Sequence, residues 1–127
     1  MAEFRQHFTR EEANALLPEL TELLTRLQEL RNHLVMEWRD AFPVFRAAHR
    51  NGGGRQAAGF AGDLLRLNEA LQRFHHLGVQ LKDLENGLVD FPSWREGREV
   101  FLCWRLGEPA VEYWHELDAG FAGRKSL

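Results

Sequence analysis

Glu112 to Gly120 reads EYWHELDAG, which sets one histidine among three carboxylates within nine positions. Imidazole and carboxylate suit a hard-to-borderline divalent cation, and an imidazole beside an acid can also move a proton. Which of these groups act together depends on the element that carries them. On a helix, Glu112 and His115 make a Glu-x-x-His pair, the unit of carboxylate-bridged two-metal bundles. Those sites combine two such pairs with two further carboxylates. This chain carries one pair, so a ferritin-like centre is not expected. On a strand, residues three apart point to opposite faces and the pair dissolves.

A strand is the preferred reading of 109–117, with a helix starting at Pro109 as its alternative. REVFLCWRL, residues 98–106, alternates with Val100, Leu102, Trp104 and Leu106 on one face. A two-residue Gly107-Glu108 loop then sets Trp104 opposite Val111, Leu102 opposite Tyr113 and Val100 opposite His115. On the other face Phe101 meets Trp114, and Cys103 meets Glu112. This register turns His115 inward at the end of the apolar row, with Asp118 following as the chain leaves the sheet. His115 and Asp118 are therefore candidate ligands for a divalent metal ion. Glu116, on the other face, ranks behind them. The plain alternative is a core histidine whose ring nitrogens bond to backbone. No histidine or positive helix end neighbours Cys103 in this register, so a reactive thiolate is not expected.

The first hairpin offers a second acidic group. A two-residue Asn86-Gly87 turn puts Asp83 opposite Asp90, a like-charge pair that needs a cation, a proton or an arginine. A three-residue Glu85-Asn86-Gly87 turn with a bulge sets Lys82 opposite Asp90 and Leu81 opposite Phe91 instead. The second register is preferred, and it makes an ordinary ion pair. HRNGGGRQAAG lacks the lysine and hydroxyl of a phosphate loop. No nucleophile elbow, dinucleotide fingerprint or paired Cys-x-x-Cys occurs, and no complete catalytic constellation emerges.

The positioning elements are helices followed by a sheet. Thr9 and Glu12 have capping-box spacing. Leu16, Leu20, Leu23, Leu27, Leu30 and Leu34 recur at alternating steps of four and three, widened by Leu17 and Leu24. Pro18 bends this helix or begins its main part, and Pro43 ends or bends it. The glycines 52–54 break it. Phe60, Leu64, Leu67, Leu71 and Phe74 predict a second helix over about 58–77, closed by His75 and His76 at the negative end of its dipole. A short connection makes the pair antiparallel. Pro92 to Gly97 reads as a turn region between strands.

With 127 residues the chain forms one domain: a helical hairpin over about 9–77, a β-hairpin region over about 79–116 and an irregular C-terminal arm, 117–127. Net charge is −3 with both signs interspersed, which argues against a basic face for nucleic acid. One cysteine, Cys103, forms no internal disulfide. The charged start MAEFRQHFTREE is no signal peptide, and no apolar run is long enough to cross a bilayer. No membrane association and a cytoplasmic location are expected.

HFTREEANALLPEL, GVQLKDLENGLVDFP and REVFLCWRLGEPAVEYWHELDAGFAGR together resemble an uncharacterised family of short bacterial proteins, catalogued as a domain of unknown function. The resemblance covers nearly the whole chain and implies a bacterial cytoplasmic protein without assigning an activity. It places the family-like signature on Asp83, Gly87, Asp90, Glu108, Trp114, His115, Asp118 and Arg124. Asp83, Asp90, Glu108, Trp114 and Arg124 are thus the candidate residues for a small-molecule ligand.

The fold expected is α+β: a long antiparallel helical pair against a small antiparallel sheet of three to four strands. A helix of about 30 residues spans about 45 Å, and a strand of about six covers about 20 Å. The surplus apolar seam predicts a twofold homodimer through the helical seams. Two functions follow: a self-associating assembly or interaction module, or a metal- or small-ligand-binding protein using His115 with nearby carboxylates.

Overall fold

The computed structural model describes residues 2–51 and 55–127, with side chains described outside 41–57. The glycine break at 52–54 lies outside the described residues. Helix α1, Arg10–Asn51, and helix α2, Arg55–Leu77, precede strands β1, Gln80–Asp83, β2, Leu88–Arg95, β3, Arg98–Arg105, and β4, Tyr113–Glu116. A 3-10 turn, Phe121–Gly123, leads to a two-residue strand β5, Lys125–Ser126. The architecture is α+β, with an antiparallel sheet of five strands in the order β1-β2-β3-β4-β5. The expected sheet was one or two strands smaller. The difference includes the tail: β5 pairs with β4, and Leu127 N–H donates to Glu112 O at 2.9 Å. The arm expected to be irregular thus satisfies an edge that β4 would otherwise leave open.

Helix α1 starts where its caps dictate. Thr9 Oγ1 accepts from Glu12 N–H at 3.1 Å, and the Glu12 carboxylate accepts from Thr9 N–H at 2.9 Å. The helix passes Pro18 without restarting and continues through Pro43 to Asn51, so neither proline ends it. Its buried row is Ala13, Leu17, Leu20, Leu24, Leu27 and Leu34, with Leu16 and Leu23 at its margin. The seam is rotated from the expected one because α2 and the sheet both press on α1. Arg73–Glu19 and His33–Asp63 contacts show the two helices to be antiparallel.

Forty-two residues carry α1 about 63 Å, more than twice the roughly 27 Å of an eight-residue strand. The half beyond the sheet packs only against α2 among the described residues, and there Val35, Met36, Leu64 and Leu65 stand exposed. No helix among the described residues is long and apolar enough to cross a membrane.

Three registers differ from those expected. In β1–β2, Gln80 faces Asp90 and Leu81 faces Val89, with a bulge at Lys82 before Asp83 meets Leu88. Asp83 and Asp90 are therefore not opposed, and Lys82 does not face Asp90 in the ladder. Between β2 and β3 the turn is only Glu96-Gly97, both at positive φ, 52° and 79°. Pro92 lies inside β2: its carbonyl accepts Phe8 N–H at 2.7 Å, so its missing N–H faces the N-terminal segment beyond the end of β1. The β2–β3 ladder loses no bond to it.

The β3–β4 register matters most. Phe101 faces His115, Leu102 faces Trp114 and Cys103 faces Tyr113, one residue away from the expected pairing. A one-residue slip moves every side chain to the other face. Trp114 joins the helix-facing core with Leu102 and Trp104, and His115 turns to the outer face with Phe101 and Cys103. The cause is Val111. Its N–H donates to Asn14 Oδ1 at 2.7 Å and its carbonyl accepts from Arg10 Nε at 2.9 Å, so α1 takes the residue that a two-residue loop would pair with Trp104.

Gly87 holds the first hairpin at φ 66°, where an added Cβ would come within 2.6 Å of Leu106 Cβ. Gly107, at φ 103°, meets nothing within 4 Å. Gly87→Ala should destabilise the fold by about 2–3 kcal/mol and Gly107→Ala by about 1 kcal/mol, since only the first adds a clash to the backbone strain. Thermal unfolding of both variants checks the ranking, and equal losses contradict it.

Candidate functional site

Three adjacent strands each lend one polar side chain to the outer face: Asp90 from β2, Cys103 from β3 and His115 from β4. Asp90 and Cys103 are direct partners across β2–β3, and His115 is the diagonal neighbour of Cys103. Their residues are 4%, 2% and 1% exposed, a burial that a carboxyl and an imidazole tolerate only when paired. Both ends of the chain provide the cover. Phe4 packs on Phe101 at a 5.2 Å ring separation. From the other side Leu117, Gly120 and Phe121 line a cavity of about 140 Å³ shared with the three polar groups.

The hydrogen bonds assign the protons. His115 Nδ1 is 2.7 Å from Glu116 O; a carbonyl only accepts, so Nδ1 carries a proton and donates. Nε2 then faces both Asp90 oxygens at 3.1 and 3.0 Å. A lone pair cannot sit against a carboxylate at that distance, so one further proton lies between them. Burial pushes the Asp90 carboxyl above the ordinary carboxylate range, against the opposing pull of His115. Burial, reinforced by the Asp90 charge, pushes the Cys103 thiol up to about 12. The His115 ring and the Asp90 carboxyl are thus closed on one another.

A second polar group locks the tail over the site. Arg124 donates to both Glu108 oxygens at 3.0 and 2.6 Å, lies 3.9 Å from Cys103 Sγ, and stacks over the Tyr113 and Phe121 rings. Glu108 also accepts from Arg105 N–H at 2.7 Å, and its carbonyl accepts from Trp104 Nε1 at 3.0 Å.

The structure distributes the other expected site residues. Asp83 shapes its own turn, accepting from Asn86 N–H at 3.2 Å and from Asn86 Nδ2 at 2.7 Å. Trp114 lies in the helix-facing core, with the Arg95 guanidinium and the Lys125 ammonium over its ring. Glu116 pairs with Arg98 at 2.6 Å, and Asp118 is exposed in the turn after β4. His115 and Asp90 thus come together, Glu108 and Arg124 come together beside them, and the remaining four stand apart. Cys103 and Lys82 also line the cavity. The expected register gave Cys103 no neighbouring histidine, whereas the observed one sets His115 diagonally beside it. Lys82 was expected only as an ion-pair partner of Asp90. The alternation Phe101–Cys103 on the face opposite Val100, Leu102 and Trp104 already signalled a second buried face.

Burial alone would raise Glu108, but Arg124 and the Arg105 amide outweigh it and hold the carboxyl below its ordinary value of 4.5. A depressed folded-state value gives stability that is complete above the ordinary value and is lost as pH falls through the depressed one. Glu108→Gln should therefore cost about 1–2 kcal/mol near neutral pH. The cost should shrink towards zero well below pH 4.5. Melting temperatures measured from neutral to acid pH test the convergence, and parallel curves contradict it.

Comparison with curated proteins and with solved structures finds no match. A family profile described as "Uncharacterized conserved protein (DUF2203)" matches residues 6–127, from two residues after Phe4 to the last residue of the tail. The outer-face cluster and the tail segment that lines its cavity fall within that match, and the chain belongs to this family of uncharacterised conserved proteins.

Proposed function

We infer that the protein binds one divalent first-row transition ion, zinc being the best fit, through Asp90, Cys103 and His115. The observation that carries this reading is the convergence of the three buried ligand atoms within 4.8 Å of one another, at the wall of a cavity. Tetrahedral bonds of about 2.0–2.3 Å put neighbouring donors about 3.3–3.8 Å apart, so small side-chain adjustments suffice. The Nδ1–H bond to Glu116 O leaves Nε2 as the coordinating nitrogen, the usual way an outer partner orients a metal-bound histidine. Binding displaces the proton between Nε2 and Asp90 and the proton on Cys103, which makes affinity rise with pH. Mixed nitrogen, oxygen and sulfur ligands favour a borderline ion over calcium or magnesium. Three protein ligands leave a position open towards the cavity, as in sites that polarise a substrate or activate water rather than in closed structural ones.

A second cluster, His33, Glu37 and Asp63 on the helices, fits less well. His33 is 61% exposed at its side chain, and Arg66 already neutralises Asp63. Burial and then Asp63 raise the Glu37 carboxyl, which makes it a poorer anionic ligand.

Elemental analysis of untagged protein grown with zinc, cobalt, manganese or iron tests the assignment. One equivalent of metal is expected, falling at least about tenfold in His115→Ala and in Cys103→Ser with the circular dichroism retained. Metal-free protein under every supply rules the reading out.

The exposed apolar end of the helical hairpin favours self-association as an additional property. Val35, Met36, Leu64, Leu65 and Leu71 leave a row of apolar surface beyond the sheet. A second copy burying this row makes a four-helix bundle with twofold symmetry. Both readings suit a reducing cytoplasm, where Cys103 stays available as a ligand. Light scattering should give a dimer at micromolar concentration that Leu65→Glu disrupts. A monomer for the parent protein removes the dimer and leaves the metal site standing.

A further inference from the structure

We propose that the outer-face cavity binds a small monocarboxylate. One carboxylate oxygen takes the open position on the metal, the other meets the Lys82 ammonium, and a short apolar body lies between Phe101 and Phe121. This inference rests on the metal reading above and adds the chemical class of the ligand.

Charge balance selects a monoanion. A divalent ion is neutralised by the Asp90 carboxylate and the Cys103 thiolate, and His115 binds as a neutral ring. Lys82 is the remaining charged residue among the described residues that line the cavity, so the loaded site carries one net positive charge. Arg124 is close to Cys103 but is committed to Glu108 through both guanidinium nitrogens. No second cation is left to meet a dicarboxylate.

The position of Lys82 is built rather than incidental. The bulge between Leu81 and Asp83 interrupts the β1–β2 ladder at this residue, the kind of break that re-aims a side chain. Its ammonium lies 4.6 Å from the centroid of the Phe101 ring, which forms the cavity wall and sits 5.5 Å from the His115 ring. A cation held over an aromatic face at the mouth of an apolar pocket is preplaced for an incoming anion.

Size and lining set the rest of the ligand. A cavity of about 140 Å³ is close to the roughly 150 Å³ that holds a benzene-sized guest. Acetate, propionate and butyrate fit, and the carboxylate plus ring of benzoate does not. Leu88, Leu117 and the two phenylalanines offer no hydrogen bond to a hydroxyl or amide on the body of the ligand, so unsubstituted acids are favoured over hydroxy or amino acids.

Cobalt-loaded protein supplies the test, because the visible bands of the ion report its fourth ligand. Titration with acetate, propionate and butyrate should shift the bands saturably, and benzoate and succinate should not. Lys82→Met should weaken the carboxylates about tenfold while one equivalent of cobalt still loads. Stoichiometric cobalt with a spectrum indifferent to the short acids overturns the ligand class and spares the metal site. Carboxylate binding that Lys82→Met leaves intact overturns the role of the ammonium. Failure of cobalt to load overturns the metal reading and this inference together.

Discussion

Helix α1 grips Val111 at both its backbone groups, and the consequences reach the whole outer face. With the Val111 N–H given to Asn14 and its carbonyl to Arg10, the chain between β3 and β4 cannot close as a tight hairpin. It makes a wider connection instead, and β4 enters the sheet one residue later than a minimal turn would allow. Side-chain period in a strand is two, so that single residue decides which face receives His115. Had Val111 paired with Trp104, His115 would join the helix-facing core and Trp114 would fall beside Cys103. The helix end thereby selects an imidazole over an indole as the neighbour of the thiol.

A small sheet with both faces buried follows from that choice. The helices cover Val89, Phe91, Leu102 and Trp104, as the leucine rows demand. Among the described residues no helix covers the outer face, and short segments from both ends of the chain do the work. At one end Glu99 receives the N–H groups of Glu3 and Phe4 at 2.7 and 3.0 Å and bonds to His7 Nε2 at 2.6 Å, while Ser93 Oγ donates to Phe8 O. At the other end Arg124 and Glu108 hold the tail. Each clasp uses a largely shielded carboxylate with several donors, the arrangement in which an ion pair outweighs the cost of desolvation. The cavity lies between the segments they hold, with Phe101 on one side and Leu117, Gly120 and Phe121 on the other.

Much of the scaffold was legible before any coordinates. The Thr9–Glu12 cap, both helices, the alternation of 98–106 and the strand at Tyr113–Glu116 all follow from spacing and side-chain shape. What could not be read were the registers, above all that of β3–β4, which depends on a contact distant in sequence. Asn14 and Arg10 lie about a hundred positions from Val111, and no local rule anticipates a polar helix residue taking a strand's backbone groups. The Lys82 bulge has a local cause instead: Asp83 accepts from Asn86, three residues on, and lengthens the turn. The site suffered accordingly. His115 and Asp90 were recognisable as chemically useful residues, but the slip placed Cys103 beside Glu112 and hid the thiol. Pro92 misled in a simpler way, since proline breaks a strand only where its missing N–H is needed.

Strand-borne ligands also explain why this cluster differs in kind from the helical one. Asp90, Cys103 and His115 occupy consecutive strands of one ladder, where backbone hydrogen bonds fix the spacing of their Cα atoms before any ligand arrives. The Glu116 carbonyl fixes the imidazole orientation as well. A site held this way loses little entropy on binding. His33, Glu37 and Asp63 instead depend on two long helices keeping their phase at a distance from the sheet, and a half-exposed histidine side chain supplies one corner. Rigidity, burial and an adjoining cavity coincide only on the outer face. The feature that concentrates them there is the wide connection imposed by Val111, which links the start of α1 directly to the chemistry at the far side of the sheet.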